Sequence, residues 1–124
     1  MKKPTIIPEL IKTWVTRVSN NATPESMTEL YEPTAVLLAT YESFLVGSKE
    51  IKGYFKEFLD KKNLKCEIIE NLTKTDKVTK AQIANGIYIF SFTDEKDVYT
   101  RVFARYTFVI FNNKIITHHS SVNP

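Results

Sequence analysis

The residues best suited to chemistry cluster near the C-terminus, where His118-His119-Ser120-Ser121 sets two imidazoles beside two hydroxyls. An imidazole among hydroxyls suits general-base work, the ring accepting a proton from a water that its neighbours hold. Consecutive side chains of a strand face opposite sides, so each face receives one histidine and one serine. One possible inward set is Thr117, His119 and Ser121, polar at successive rungs. The other is Ile116, His118 and Ser120, in which an apolar entry grades into a polar mouth. The first is preferred here, and a third reading, in which all four are solvated or bonded locally, stays open.

Thr40 closes the apolar segment Ala35-Val36-Leu37-Leu38-Ala39. Its hydroxyl can donate to or accept from a small anion, although a β-branched residue also simply suits a strand. Tyr54 falls on the apolar stripe of a helix, either as a core aromatic or as a site hydroxyl. Tyr88 and Tyr106 are secondary candidates for a pocket wall. Arg105 shares a strand face with Arg101 and is placed either to hold an anion or to make surface and interface contacts. Cys66 alternates with Leu64 and Ile68 and reads as a small buried hydrophobe.

The counts bound this chemistry. Two histidines and one cysteine in 124 residues complete neither a three-histidine zinc site nor a two-cysteine, one-histidine site. No metal and no cofactor is therefore expected, and a lone cysteine supplies no disulfide framework. The length suits one domain, 1–124, with 43% hydrophobic and 25% charged residues, an ordinary globular balance. A formal charge of +3, from 17 basic and 14 acidic residues, is too small an excess to argue for nucleic acid. Pro8, Glu9 and Lys12 interrupt the apolar run that a leader would need after Lys2-Lys3, and no stretch approaches a membrane span. A soluble cytoplasmic protein is expected.

The elements that must position these residues follow from period and punctuation. Leu10, Ile11, Trp14, Val15 and Val18 recur at helical spacing, predicting an amphipathic helix that ends near Asn20-Asn21. Thr23-Pro24-Glu25 starts a second, short helix with Met27, Leu30 and Tyr31 on its buried face and Pro33 as its stop. After a β-prone segment over 34–40, Gly47-Ser48 opens a third helix, with Ser48 as cap, Glu50 in the first turn and Ile51, Tyr54, Phe55, Phe58 and Leu59 on one stripe. From Leu64 the period changes, and strands are predicted at about 64–73, 77–92, 98–111 and 114–121. Asn112-Asn113 is a hairpin turn, 93–97 a polar turn, and Gly86 a bulge or bend. In the third of these strands Val98, Val102, Ala104, Tyr106, Phe108 and Ile110 share one face, while Tyr99, Phe103, Val109 and Phe111 share the other. Helices are expected over one face and a partner subunit over part of the other. The fold class is α+β, N-terminal helices on a curved antiparallel sheet, a cystatin-like cone.

The ending Lys114-Ile115-Ile116-Thr117-His118-His119-Ser120-Ser121-Val122-Asn123-Pro124 resembles that of a group within the nuclear-transport-factor-2-like superfamily, near the association domain of calcium/calmodulin-dependent protein kinase II. Residues 35–40, 51–59, 84–90 and 105–108 resemble the group's first strand, third helix and sheet, so the likeness covers nearly the whole chain. Members with this ending include the iota-class carbonic anhydrases, some described as working without a metal. The resemblance implies a carbonic anhydrase interconverting carbon dioxide and bicarbonate in the cone. It also implies Thr40 and Tyr54 as site residues beside the His and Ser of the last strand. Two other readings stand: a non-catalytic association or small-ligand module forming a homodimer, and an isomerase or cyclase of the SnoaL or ketosteroid isomerase type. For the last, Glu67 and Glu70 are the nearest candidate bases. No nucleic acid or membrane partner is expected.

Overall fold

Trp14 organises the interior. It lies at the middle of α1 (Glu9–Ser19), whose buried face is Ile11, Trp14 and Val18. Its ring stacks on Tyr88 and meets Phe55, Phe90 and Phe108 edge-on. The computed structural model describes residues 6–40 and 44–122; residues 1–5, with the Lys2-Lys3 pair, and the closing Asn123-Pro124 lie outside the described residues.

Helix α2 (Pro24–Thr28) begins as predicted, with Pro24 at its first position and the Thr23 hydroxyl accepting from the Ser26 amide at 3.1 Å. It is shorter than predicted, because Tyr31 opens strand β1 (Tyr31–Leu38) instead of completing the helix face. Pro33 therefore sits inside a strand. It falls where pairing with β6 is irregular, between Tyr31 and Val36, and a residue without an amide proton is tolerated at such a break. Strand β2 (Phe44–Val46) went unpredicted, since three residues are too few to show alternation. Helix α3 (Gly47–Phe58) follows, and Gly47 has φ +87°, a backbone state that suits glycine. Ser48 is not the cap. Val46 occupies that position, its amide held by the Glu50 carboxylate at 2.8 Å.

Four long strands complete the chain: β3 (Lys62–Thr75), β4 (Gln82–Thr93), β5 (Tyr99–Phe111) and β6 (Lys114–Val122). Strand β4 starts later than predicted because the Asp76 carboxylate accepts from the amide and hydroxyl of Thr79, both at 2.7 Å, closing a turn over its expected first residues. Val98 is exposed in the following turn and does not join the inner face. Asn112 and Asn113, at φ 49° and 59°, make the expected hairpin turn. The sheet order is β2-β1-β6-β5-β4-β3. The last four strands form the predicted antiparallel meander, whereas β1 joins β6 in parallel, so the curved, unclosed sheet is mixed. Helices α1 and α3 pack on one face, against β3 and β1. The result is the expected α+β, cystatin-like architecture. Among the described residues no helix is long and apolar enough to cross a membrane.

Gly86 differs from expectation in an instructive way. Its strand runs through it in register, Gly86 opposite Asn71 and Tyr106, and the irregular pairing lies on the neighbouring strand, between Ile68 and Glu70. Glycine is required here for close approach. A Cβ on Gly86 would overlap the Glu70 carbonyl oxygen and sit 2.6 Å from the Tyr106 hydroxyl.

Candidate functional site

The phase of β6 decides which histidine enters the core. Ile115 is fully buried opposite Ile110, and uninterrupted alternation from it would send Thr117 and His119 inward as well. Instead, Val109 pairs with Thr117 and Ile110 with Ile115, so Ile116 is an extra residue on β6. A bulge of this kind reverses the parity of everything beyond it. His118 and Ser120 are buried, while His119 is exposed and Ser121 half-buried on the outer face. The preferred inward pair, His119 with Ser121, is thus corrected to His118 with Ser120. Pairing on both sides of β6 holds this phase, Phe108 and Leu37 flanking His118.

His118 sits in an aromatic cage. Phe108 stacks on it with ring centroids 3.9 Å apart, and Trp14 meets it edge-on. Its Nδ1 lies 2.8 Å from the Tyr31 hydroxyl and its Nε2 3.1 Å from the Tyr88 hydroxyl. The Trp14 indole N–H donates to the same Tyr31 oxygen at 3.1 Å. Burial lowers the His118 pKa to about 3, and the neighbouring His119 adds to the shift. The ring is neutral at ordinary pH, both nitrogens are committed, and its pKa is far from that of an efficient general base near neutrality. The expected free imidazole base is therefore absent from either histidine: His119 faces away, and His118 is locked. Burial likewise raises the pKa values of Tyr31 and Tyr88, so both stay protonated.

The other candidates separate cleanly. Thr40, just past the end of β1, and Ser120 share a hydrogen bond of 2.5 Å between their hydroxyls. A small cavity of about 10 Å³ is lined by Thr40, Ser120, His118, Tyr88 and Tyr54, with an apolar wall that includes Phe55, Phe58 and Phe90. That is room for about one water-sized group. The structure thus gathers Thr40, Tyr54, Tyr88, His118 and Ser120, and it leaves out His119, Ser121, Arg105 and Tyr106. Arg105 is exposed on the outer face beside Ser121. Tyr106 is buried, but its hydroxyl donates to Asn71 Oδ1 at 2.7 Å and it does not line the cavity. Among the described residues no carboxylate lines the cavity, and neither Glu67 nor Glu70 serves as a base there. Among the described residues no three His, Cys, Asp or Glu side chains converge. Cys66 is buried, as expected, and burial pushes its thiol pKa up.

Sequence reasoning missed Tyr31 and Trp14. The available signal was that a buried Tyr or Trp carries a polar atom needing a partner, and two such residues lay on apolar stripes with no partner named.

No family model matches the chain, and no curated protein matches its sequence. Among solved structures it is similar to a protein from Xanthomonas campestris named for the calcium/calmodulin dependent protein kinase II association domain. That match has a TM-score of 0.84 at 29% identity and covers 99% of this chain and 96% of that one. It is also similar to a Catenulispora acidiphila protein with a ketosteroid isomerase-like fold, with a TM-score of 0.76 at 11% identity over 93% of this chain and 85% of that one. A Caulobacter vibrioides protein with a cystatin-like fold gives a TM-score of 0.71 at 18% identity, over 94% of this chain and 86% of that one.

Proposed function

Because the chain folds as a member of the nuclear-transport-factor-2-like superfamily, we propose that it interconverts carbon dioxide and bicarbonate, in the cytoplasm and without a metal, in the cavity beneath Thr40. The observation that supports this reading is the gathering of the Thr40, Ser120, Tyr54 and Tyr88 hydroxyls beside His118 in one small cavity. Steroid and polyketide substrates need pockets of roughly 300 Å³ or more, and among the described residues the isomerase reading also finds no carboxylate base in the cavity. Carbon dioxide, the smallest of these substrates, asks for the least widening of a space that now admits about one water-sized group.

The residues divide the work as follows. Thr40 and Ser120 hold each other and orient the attacking water by accepting and donating through their hydroxyls. Tyr54 faces the carbon dioxide oxygens, where a hydrogen-bond donor stabilises the charge that develops as the new C–O bond forms. The water's second proton leaves through the mouth to solvent or buffer, since His118 is held neutral and is not a resting proton acceptor. His118 is a positioning residue for Tyr88. Orientation without a matched base implies modest rates.

Stopped-flow measurement of carbon dioxide hydration on chelator-treated protein tests this. Activity above buffer is expected, with Thr40→Val and Ser120→Ala each lowering kcat/KM by about 10²-fold, the usual effect of removing one such hydroxyl contact. Hydration no faster than buffer sinks the proposal.

A second reading, an association module acting as a homodimer, is favoured by the outer sheet face. Leu72, Ile83, Phe103 and Phe111 are each at least about a third exposed there, on three adjoining strands. If this face joins two copies, Phe103→Glu should convert a dimer to a monomer in sedimentation velocity without altering the cavity. A wild-type chain that sediments as a monomer at high concentration excludes it.

A further inference from the structure

The line of contacts running from Trp14 to Tyr88 has a direction. An indole N–H only donates, so the Tyr31 oxygen accepts from Trp14. Tyr31 is fully buried, and among the described residues its hydroxyl has one other partner, His118 Nδ1 at 2.8 Å. If Nδ1 carried the ring proton and donated, the Tyr31 proton would be left in the core without an acceptor, a costly arrangement. Tyr31 therefore donates to Nδ1. The single proton of the neutral ring is then on Nε2, which donates to the Tyr88 oxygen at 3.1 Å. Tyr88, having accepted from His118, directs its own proton to the neighbouring Ser120 hydroxyl; Ser120 in turn donates to Thr40 at 2.5 Å, which leaves the Thr40 proton for the cavity that all three line.

We infer that Trp14 and Tyr31 are positioning residues that fix His118 as its Nε2–H tautomer, ordering the hydroxyls of Tyr88, Ser120 and Thr40 as successive donors toward the cavity, which consequently takes a ligand offering hydrogen-bond acceptors. Small oxygen-bearing molecules and anions of the bicarbonate or carboxylate class meet this requirement, and small donor cations do not. The tautomer stands on the contacts alone; the choice of bicarbonate as the probe rests on the proposed activity.

Long-range proton–nitrogen correlation spectra of histidine-labelled protein read the tautomer directly. In His119→Gln, which leaves His118 as the one imidazole, the protonated nitrogen is expected to be Nε2. A proton on Nδ1 overturns the inference. In Tyr31→Phe the Nδ1 resonance should shift downfield, because the imine nitrogen loses its donor; an unmoved resonance in a folded variant overturns the role of Tyr31. The spectrum with Tyr31 intact decides the tautomer even if that variant fails to fold. Sodium bicarbonate should perturb the Nε2–H signal and ammonium chloride should not; the reverse, or no response to bicarbonate, overturns the ligand class. The two readings separate because the Nε2–H tautomer without carbon dioxide hydration refutes the activity and leaves the tautomer standing.

Discussion

Gly86→Ala is expected to destabilise the protein by about 3 kcal/mol or more, as overpacking against an immovable group does. The new Cβ would overlap the Glu70 carbonyl oxygen and meet the Tyr106 ring at 2.7 Å. The carbonyl belongs to β3 and moves only if the register of Glu70 with Ile87 and of Asn71 with Gly86 gives way. The Tyr106 hydroxyl is itself tied to Asn71 and Glu70. Thermal melts followed by circular dichroism should show Tm lower by roughly 10 °C or more. The sign makes the test sharp, because glycine weakens an ordinary strand and alanine would then stabilise. Gly53 supplies the contrast: it lies within α3, where an added Cβ would meet nothing inside 4 Å, and Gly53→Ala should gain about 0.5–1 kcal/mol. A Gly86→Ala protein that melts with wild type refutes the close-approach account.

The second large effect is acid sensitivity centred on His118. Its pKa is about 3 in the folded protein, against 6.5 for an unperturbed imidazole. Between these values the unfolded chain binds a proton that the folded chain does not. Stability therefore falls as pH drops below 6.5, by up to about 1.4 kcal/mol per pH unit, and this component levels off only near pH 3. Urea midpoints measured from about pH 7.5 to 5, above the range where most carboxylates titrate, should hold nearly level above about pH 7 and fall increasingly steeply below 6.5 for the wild-type chain. In His118→Gln the midpoint should start lower, because the Tyr31 and Tyr88 contacts are disturbed, and should then vary much less with pH. Parallel slopes for the two proteins would show that the buried imidazole is not the source.

Local patterning carried the helices and the meander. The stripe Ile11, Trp14 and Val18, the Thr23-Pro24 start and the Asn112-Asn113 turn are each set by neighbours a few residues away, and each is found where expected. Features that depend on distant strands were not legible. The start of β1 at Tyr31 and its parallel pairing with β6 involve residues more than eighty positions apart. The bulge on β3 opposite Tyr88 and Ile87, next to Gly86, likewise left its mark in sequence only as a glycine of uncertain purpose.

The candidate site divides in the same way. Strand alternation in His118-His119-Ser120-Ser121 by itself determined that one histidine and one serine would share a face, and residue counts ruled out a three-histidine or a two-cysteine, one-histidine zinc site. Tertiary structure alone decided which pair enters. The extra residue at Ile116 reverses the strand's parity, and pairing with β1 and β5 on both sides holds that phase. It also decided what the histidine becomes there. Tyr31 and Tyr88, brought from β1 and β4 to its two nitrogens, and an aromatic cage that excludes water turn a prospective base into a neutral, oriented ring. Burial and partners set the chemistry of an imidazole, and both come from residues far away in the chain.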